Sequence, residues 1–376
     1  MSKQKSSARF RFTGAVLLLA VLAFLVPALQ HNSSTLWLLC ILIPCVLLLA
    51  GTLLARMFSL DRMILALSLW FCTAGIAALG ISDPQEALAQ SVRCGAGLAA
   101  LLAGGVLIRS LSASILTSAC TAFLGLLLLA GKFVAPAFSL SLTEVALALV
   151  LVSFATLLTR QGPVSALLCA SAAQALLLFR GETPEALIWG LTVLLLLFAA
   201  DGRLMILLPS LAVMSVLFFV AFTLLPAPAV SQEQILPSLV SVGAFGSNTL
   251  PAAIASMNTV SLFPRLAGHY GLVFSGLTVL LFLPFSLRGT TVAACARTRL
   301  YSILAMGAAL LLSLRVLVSL LSLFGFLPFT DVAVPFLTAS LPNLCAELFI
   351  TGLLCGISGR NDADLAEDAH LAMLAQ

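Results

Sequence analysis

The chain is 376 residues long, 61% apolar and only 9% charged, with a formal net charge of +4. So much apolar surface can be buried only in a bilayer or a protein interior, which excludes a soluble domain of this size. The small, scattered basic excess excludes a nucleic-acid footprint.

A bilayer-crossing helix needs about 20 mostly apolar residues. On that basis an all-α polytopic membrane protein with about twelve spans is predicted, over 12–29, 35–55, 63–81, 94–109, 112–131, 144–159, 163–179, 184–200, 204–225, 266–287, 300–324 and 333–357. The N-terminal MSKQKSSARFRF mimics a signal peptide, but the next span follows so closely that a retained first helix is expected. No soluble domain fits between the spans. The tail GRNDADLAEDAHLAMLAQ is acidic and short, with one or two helical turns at most.

Basic residues stay on the cytoplasmic side of a membrane. With the N-terminus inside, that side holds Lys3, Lys5, Arg9, Arg11, Arg56, Arg62, Arg109, Arg160, Arg203, Arg288, Arg297, Arg299 and Arg360, and the outer side holds Arg93, Lys132, Arg180 and Arg265. Both termini are therefore expected in the cytoplasm, and the long connection over 226–265 outside. That connection is the only long interruption between spans. It carries prolines at 226, 228, 237, 251 and 264, a turn at Gly243–Asn248, and apolar residues such as Ile235, Leu239, Val242 and Phe245. Connections of this length inside a compact protein are functional or disordered; its apolar content favours a loop that dips back onto the membrane surface.

Nine cysteines lie in or beside apolar runs, with no CxxC pair and no cluster with His31, His269 or His370, so they read as small buried hydrophobes and no metal site is expected. No GxxxxGK[ST] or GxGxxG motif occurs, so there is no nucleotide site to argue for. Charged groups inside spans are costly and face a cavity or a partner. Two such groups are Arg315 in span eleven and Glu347 in span twelve. They read either as a structural ion pair or as a substrate-facing pair, with Arg315 on an anionic group and Glu347 holding it.

The stretch from Leu317, LVSLLSLFGFLPFTDVAVPFLTASLPNLCAELFITGLLCGIS, resembles the end of the FtsW/RodA/SpoVE (SEDS) family of bacterial peptidoglycan polymerases. Gly325, Leu327 and Pro328 match a span ending in Gly-x-Leu-Pro. Pro335-Phe336 follows, and Thr338 to Pro342 stands at the family's Ser-Tyr-Gly-Gly-Ser segment. Asp61, Gln90 with Gly97, Thr143-Glu144, and Gln234 with Gly243 and Gly246 fall in the family's order. The resemblance covers about 59–358. It implies a ten-helix core, two additional helices within 1–58, and a cytoplasmic tail over 359–376.

The resemblance also implies an activity: glycosyl transfer between lipid II molecules on the outer face, in the bacterial inner membrane, beside a class B penicillin-binding protein. A role in division, cell shape or sporulation would follow. A carboxylate base would activate the acceptor hydroxyl, and cations or a divalent metal would assist the leaving pyrophosphate. The family's loop aspartate position is Val260 here, its two glutamates are Gly268 and His269, its lysine after Glu144 is Leu147, and its asparagine before Gly-x-Leu-Pro is Ser319. Replacement bases would come from Glu233 in the loop or Asp331 in the turn, both also readable as solvated loop acids. Substrate contacts would come from Arg315, Glu347, Gln234, Gly243, Gly246 and Ser340. The resemblance thus leaves two readings, an active polymerase with a relocated base and a family member without polymerase activity. A reading outside the family is a polytopic transporter or lipid flippase, which should show inverted repeats; none is evident.

Overall fold

A computed structural model describes residues 21, 34–111, 114–134, 142–202, 204–224, 240–246, 261–327 and 332–374. Twelve helices lie within them: α1 (Ser34–Met57), α2 (Arg62–Ser82), α3 (Pro84–Ser110), α4 (Ile115–Val134), α5 (Thr143–Arg160), α6 (Pro163–Phe179), α7 (Thr183–Asp201), α8 (Leu204–Leu224), α9 (Phe263–Leu280), α10 (Phe282–Ala294), α11 (Arg299–Leu323) and α12 (Leu341–Leu374). The protein is an all-helical, multi-pass membrane protein. Among the described residues seven helical stretches are long and apolar enough to cross a bilayer, and Ile115–Gly131, Pro163–Phe179 and Leu207–Leu217 are shorter apolar helices. The expected span over 12–29 lies outside the described residues except for residue 21.

Local chemistry sets the helix ends. Asp61 caps α2, its Oδ1 accepting from the Met63 and Ile64 amides at 2.9 and 3.2 Å. Asp83 ends α2 and caps α3 through the Gln85 amide at 2.8 Å, with Pro84 in the first turn. Gly202, left-handed at φ 61°, ends α7. Pro284 withholds the N–H that would continue the helical ladder, and α9 gives way to α10 at Leu281.

Packing inside a bilayer gains nothing from hiding oil from oil, so close backbone approach has to carry it. The α3–α12 pair shows this. A Cβ at Gly104 would fall on the Phe349 carbonyl oxygen, one at Gly352 on the Leu101 carbonyl oxygen, and one at Gly356 would lie 2.8 Å from the Gly105 carbonyl oxygen. Helix α2 is buried almost throughout, with α1, α3, α9, α10 and α12 around it.

The two ends of the bundle are chemically distinct. At one end Arg288 reaches Asp61 Oδ2 at 2.7 Å and Ser358 donates to the same oxygen at 2.9 Å. Arg360 meets the Tyr301 hydroxyl at 3.0 Å, and Arg299 pairs with Asp201 at 2.5 Å. These arginines belong to the set that the basic-residue bias puts in the cytoplasm. The opposite end carries the starts of α3, α5, α7, α9 and α12.

Two expectations about α12 change. It begins at Leu341 rather than 333, because Pro335 and the left-handed Phe336 (φ 65°) keep the preceding residues out of a helix. It then runs without interruption to Leu374, well beyond one or two turns. Ala, Leu, Glu and Asp residues without proline or glycine after Gly359 let the helix continue.

Candidate functional site

The segment over 332–340, between α11 and α12, is irregular backbone held inside the bundle. Non-helical chain at membrane depth must have its polar groups satisfied by protein. The Ser319 hydroxyl reaches the Arg315 and Ala333 carbonyl oxygens at 2.7 and 3.0 Å. The Phe336 amide donates to Glu347 Oε2 at 2.6 Å. The Leu262 amide donates to the Leu337 carbonyl at 2.9 Å, forming an isolated antiparallel bridge between Ser261 and Thr338. Gln90 Nε2 donates to the Thr338 carbonyl at 2.8 Å and is itself oriented by Arg93, 3.0 Å from its Oε1. The Phe336 ring is fully buried, stacked with Phe71 at 5.8 Å and edge-on to Phe285 at 6.0 Å. Five helices therefore grip nine residues.

Beside this segment lies a buried charge cluster. Arg315 on α11, with a side chain only 4% exposed, pairs with Glu144 at the start of α5 and with Glu185 in the first turn of α7, and its Nη1 lies 3.6 Å from Glu347 Oε1 on α12. One guanidinium thus faces three carboxyl groups from three helices. A second layer adjoins it. Arg180 donates to Glu182 at 2.8 Å, to the Thr143 hydroxyl at 3.1 Å and to the Leu129 carbonyl at 3.2 Å, and Thr143 donates to Glu182 at 2.8 Å. Taking charges out of water costs several kcal/mol per ion, so such clusters hold only where each member is well partnered. Glu347 has two roles here, one oxygen on the Phe336 amide and the other towards Arg315.

The long connection is anchored at both described places. In the turn over 240–246, Gly243 and Gly246 have φ of 77° and 88°. The turn sits in a break of α9 at Gly271, which has φ 84°. There the Leu272 and Val273 amides, orphaned by the break, donate to the Gly243 and Ala244 carbonyls at 3.3 and 3.2 Å. A Cβ on Gly246 would overlap the His269 carbonyl, and one on Gly271 would overlap the Ala244 carbonyl. Both glycines are needed for conformation and for space. Phe245 in this turn is 88% exposed.

Of the residues expected to form a site, Arg315, Glu347, Gly243, Gly246 and Ser340 are described, and all lie at this end of the bundle. Arg315 and Glu347 come together. Gly243 and Gly246 form the turn, and Ser340 precedes α12, its amide donating to the Thr338 hydroxyl at 3.2 Å. Glu233, Gln234, Val260 and Asp331 lie outside the described residues. Sequence reasoning placed Arg180 on the outer side, counted Glu144, Glu182 and Glu185 among the lesser outer-side acids and matched Pro335-Phe336 to the family pattern, but did not join any of them to Arg315 and Glu347. The available signal was the Arg180-Gly-Glu182-Thr-Pro-Glu185 run, which is crowded with charge at a helix start. Among the described residues no group of three or more His, Cys, Asp and Glu side chains is arranged to hold a metal ion.

A bundle of bilayer-crossing helices with a re-entrant segment braced at one end is an established membrane-protein architecture. The chain has the fold of the rod shape determining protein RodA of Thermus thermophilus, with a TM-score of 0.59 at 20% identity, over 80% of this chain and 96% of that one. A mutant form of the same protein matches equally, with 97% of that chain covered. A chain from a structure on the coordination of polymerization and crosslinking by a peptidoglycan synthase complex matches with a TM-score of 0.61 at 20% identity, over 80% of this chain and 98% of that one. No protein-family model and no curated protein sequence matches the chain.

Proposed function

We propose that the protein is a SEDS-family component of bacterial cell-wall synthesis in the inner membrane, with its working face outside. It binds lipid II or another polyprenyl-linked sugar beside a class B penicillin-binding protein and has lost most of the family's polymerase activity. The RodA fold over 80% of the chain carries this reading. The ordered resemblances from Asp61 to Ser358 support it, and the segment over 332–340 occupies the position where they are densest. Loss of activity follows from Val260 at the family's aspartate position, since valine accepts no proton. Loss of a general base typically costs about 10² to 10⁴ in rate.

Arg315 and Glu347 serve, in this reading, as internal supports of the site. Three carboxyl groups already surround the guanidinium, so a pyrophosphate would have to displace them. Contact with substrate falls instead to the outer rim, including Ser340 and the connection that carries Gln234, Gly243 and Gly246.

The test is lipid II polymerisation by the purified full-length protein with its transpeptidase partner. Binding of lipid II with little or no polymer is expected. Long glycan chains, abolished by Glu233→Ala or Asp331→Ala, would instead establish an active polymerase with a relocated base. Absence of lipid II binding, together with solute uptake into vesicles, would establish a transporter.

A further inference from the structure

Phe336 is an aromatic residue in left-handed backbone conformation, φ 65°, where L side chains are disfavoured. Such a residue persists only where its surroundings over-determine it, and strain of this kind concentrates at switch regions. Here the determinants are few and identifiable. The Leu337 amide closes a turn on the Val334 carbonyl at 3.0 Å, with Pro335 and Phe336 at its centre, the Phe336 amide donates to Glu347 Oε2 at 2.6 Å, and the ring is clamped by Phe71, Phe282 and Phe285. The next residue, Leu337, supplies the carbonyl that receives the Leu262 amide, where the long outer connection re-enters the bundle. The residue after that, Thr338, is held by Gln90.

We propose that Glu347 is a latch and Phe336 its hinge: the carboxylate completes the set of contacts that holds Phe336 left-handed, and its loss is enough to release the place where the long connection returns to the bundle at Ser261–Leu262. Losing the contact lets residue 336 relax towards ordinary extended backbone. The Leu337 carbonyl then turns away from Leu262 and the Ser261–Thr338 bridge opens. The remaining anchors, the turn over 240–246 in the α9 break and the α3–α12 packing, do not depend on it. The position of the connection at the outer face is thereby set from inside the bundle, through Glu347, whose other oxygen faces Arg315. The inference does not rest on any particular activity of the outer face.

Hydrogen exchange by mass spectrometry on the full-length protein in lipid nanodiscs tests it. In Glu347→Ala, amides over 261–263 and 336–338 should exchange about tenfold faster or more, as local opening replaces protection. Amides of the α4–α5 pair and of the turn over 240–246 should be unchanged. Glu347→Gln, whose side-chain oxygen can accept the same N–H, should retain protection, which a role through charge alone would not allow. A second arm guards against a variant that simply unfolds. Ser261→Cys with Thr338→Cys, oxidised to a disulfide across the bridge, should restore slow exchange at 261–263 in the Glu347→Ala background. Unchanged exchange at 261–263 in Glu347→Ala would overturn the proposal. So would acceleration spread evenly over all helices, or failure of the disulfide to restore protection.

Discussion

Gly352 on α12 lies directly against the carbonyl oxygen of Leu101 on α3, with no room for a side chain between the two backbones. The contact recurs along the pair at Gly104 and Gly356, so the two helices share one closely packed seam. Gly352→Ala should therefore lower the melting temperature in detergent, at a cost of about 1–3 kcal/mol from overpacking. Gly131→Ala on α4, where a Cβ meets nothing within 4 Å, is the matched control and should be neutral or slightly stabilising.

Removing the cation at the centre of the buried cluster should be far worse than removing any one acid. Arg315→Met leaves Glu144, Glu185 and Glu347 facing one another without their guanidinium. A loss of about 3–5 kcal/mol is expected, as when a buried ion pair is broken from one side. Arg315→Lys should fall between the two, because an ammonium cannot span carboxylates on two separate nitrogens. Thermal melts and the yield of monodisperse protein report both.

Asp61 joins three elements at the opposite end, capping α2 with one oxygen and receiving Arg288 and Ser358 on the other. Asp61→Ala should cost about 1–2 kcal/mol for the lost cap alone, plus what Arg288 contributed. Asp61→Asn keeps an acceptor for the cap and should lose less. The ranking is read from melting temperatures of the three proteins.

The turn over 240–246 should detach without global unfolding when its glycines are filled. Gly246→Ala combines a disfavoured φ of 88° with an overlap on the His269 carbonyl. Limited proteolysis should then cut within the long connection between α8 and α9 several times faster, while the melting temperature changes little. The turn is bonded to the rest of the described protein through the Leu272 and Val273 amides.

The proposed loss of polymerase activity has a gain-of-function counterpart. Val260→Asp restores a carboxylate at the position that the family resemblance marks. If only the base is missing, lipid II polymerisation should rise by roughly 10²-fold or more. No rise would place further losses at Leu147, Gly268 or His269.

Much of the architecture was legible in the chain itself. Apolar runs gave α2, α5, α6 and α7 to within a residue or two at each end, because hydrophobicity, caps and helix breakers act over neighbouring residues and need no distant partner; α3 starts ten residues earlier than expected, at Pro84 rather than 94, because its polar first turns, capped by Asp83, carry little of the apolar signal. The family resemblance rested on short local patterns for the same reason. The site was only half legible. Arg315 and Glu347 stood out, since any charge inside an apolar run is costly. Glu144 and Glu185 did not announce themselves as their companions, because a glutamate at a helix start also satisfies the helix dipole.

The sequence alone therefore determined that this protein crosses the membrane many times, roughly where most of its helices lie, and which charges had to find partners. Only the tertiary structure decided which partners those were. It also decided that 332–340 would stay irregular, that α9 would break to receive a turn from about 25 residues earlier, and that one carboxylate would serve both Arg315 and Phe336. The physical reason is range. Hydrophobicity and capping are properties of neighbouring residues, whereas the satisfaction of a buried polar group depends on whichever helix the bilayer brings alongside it.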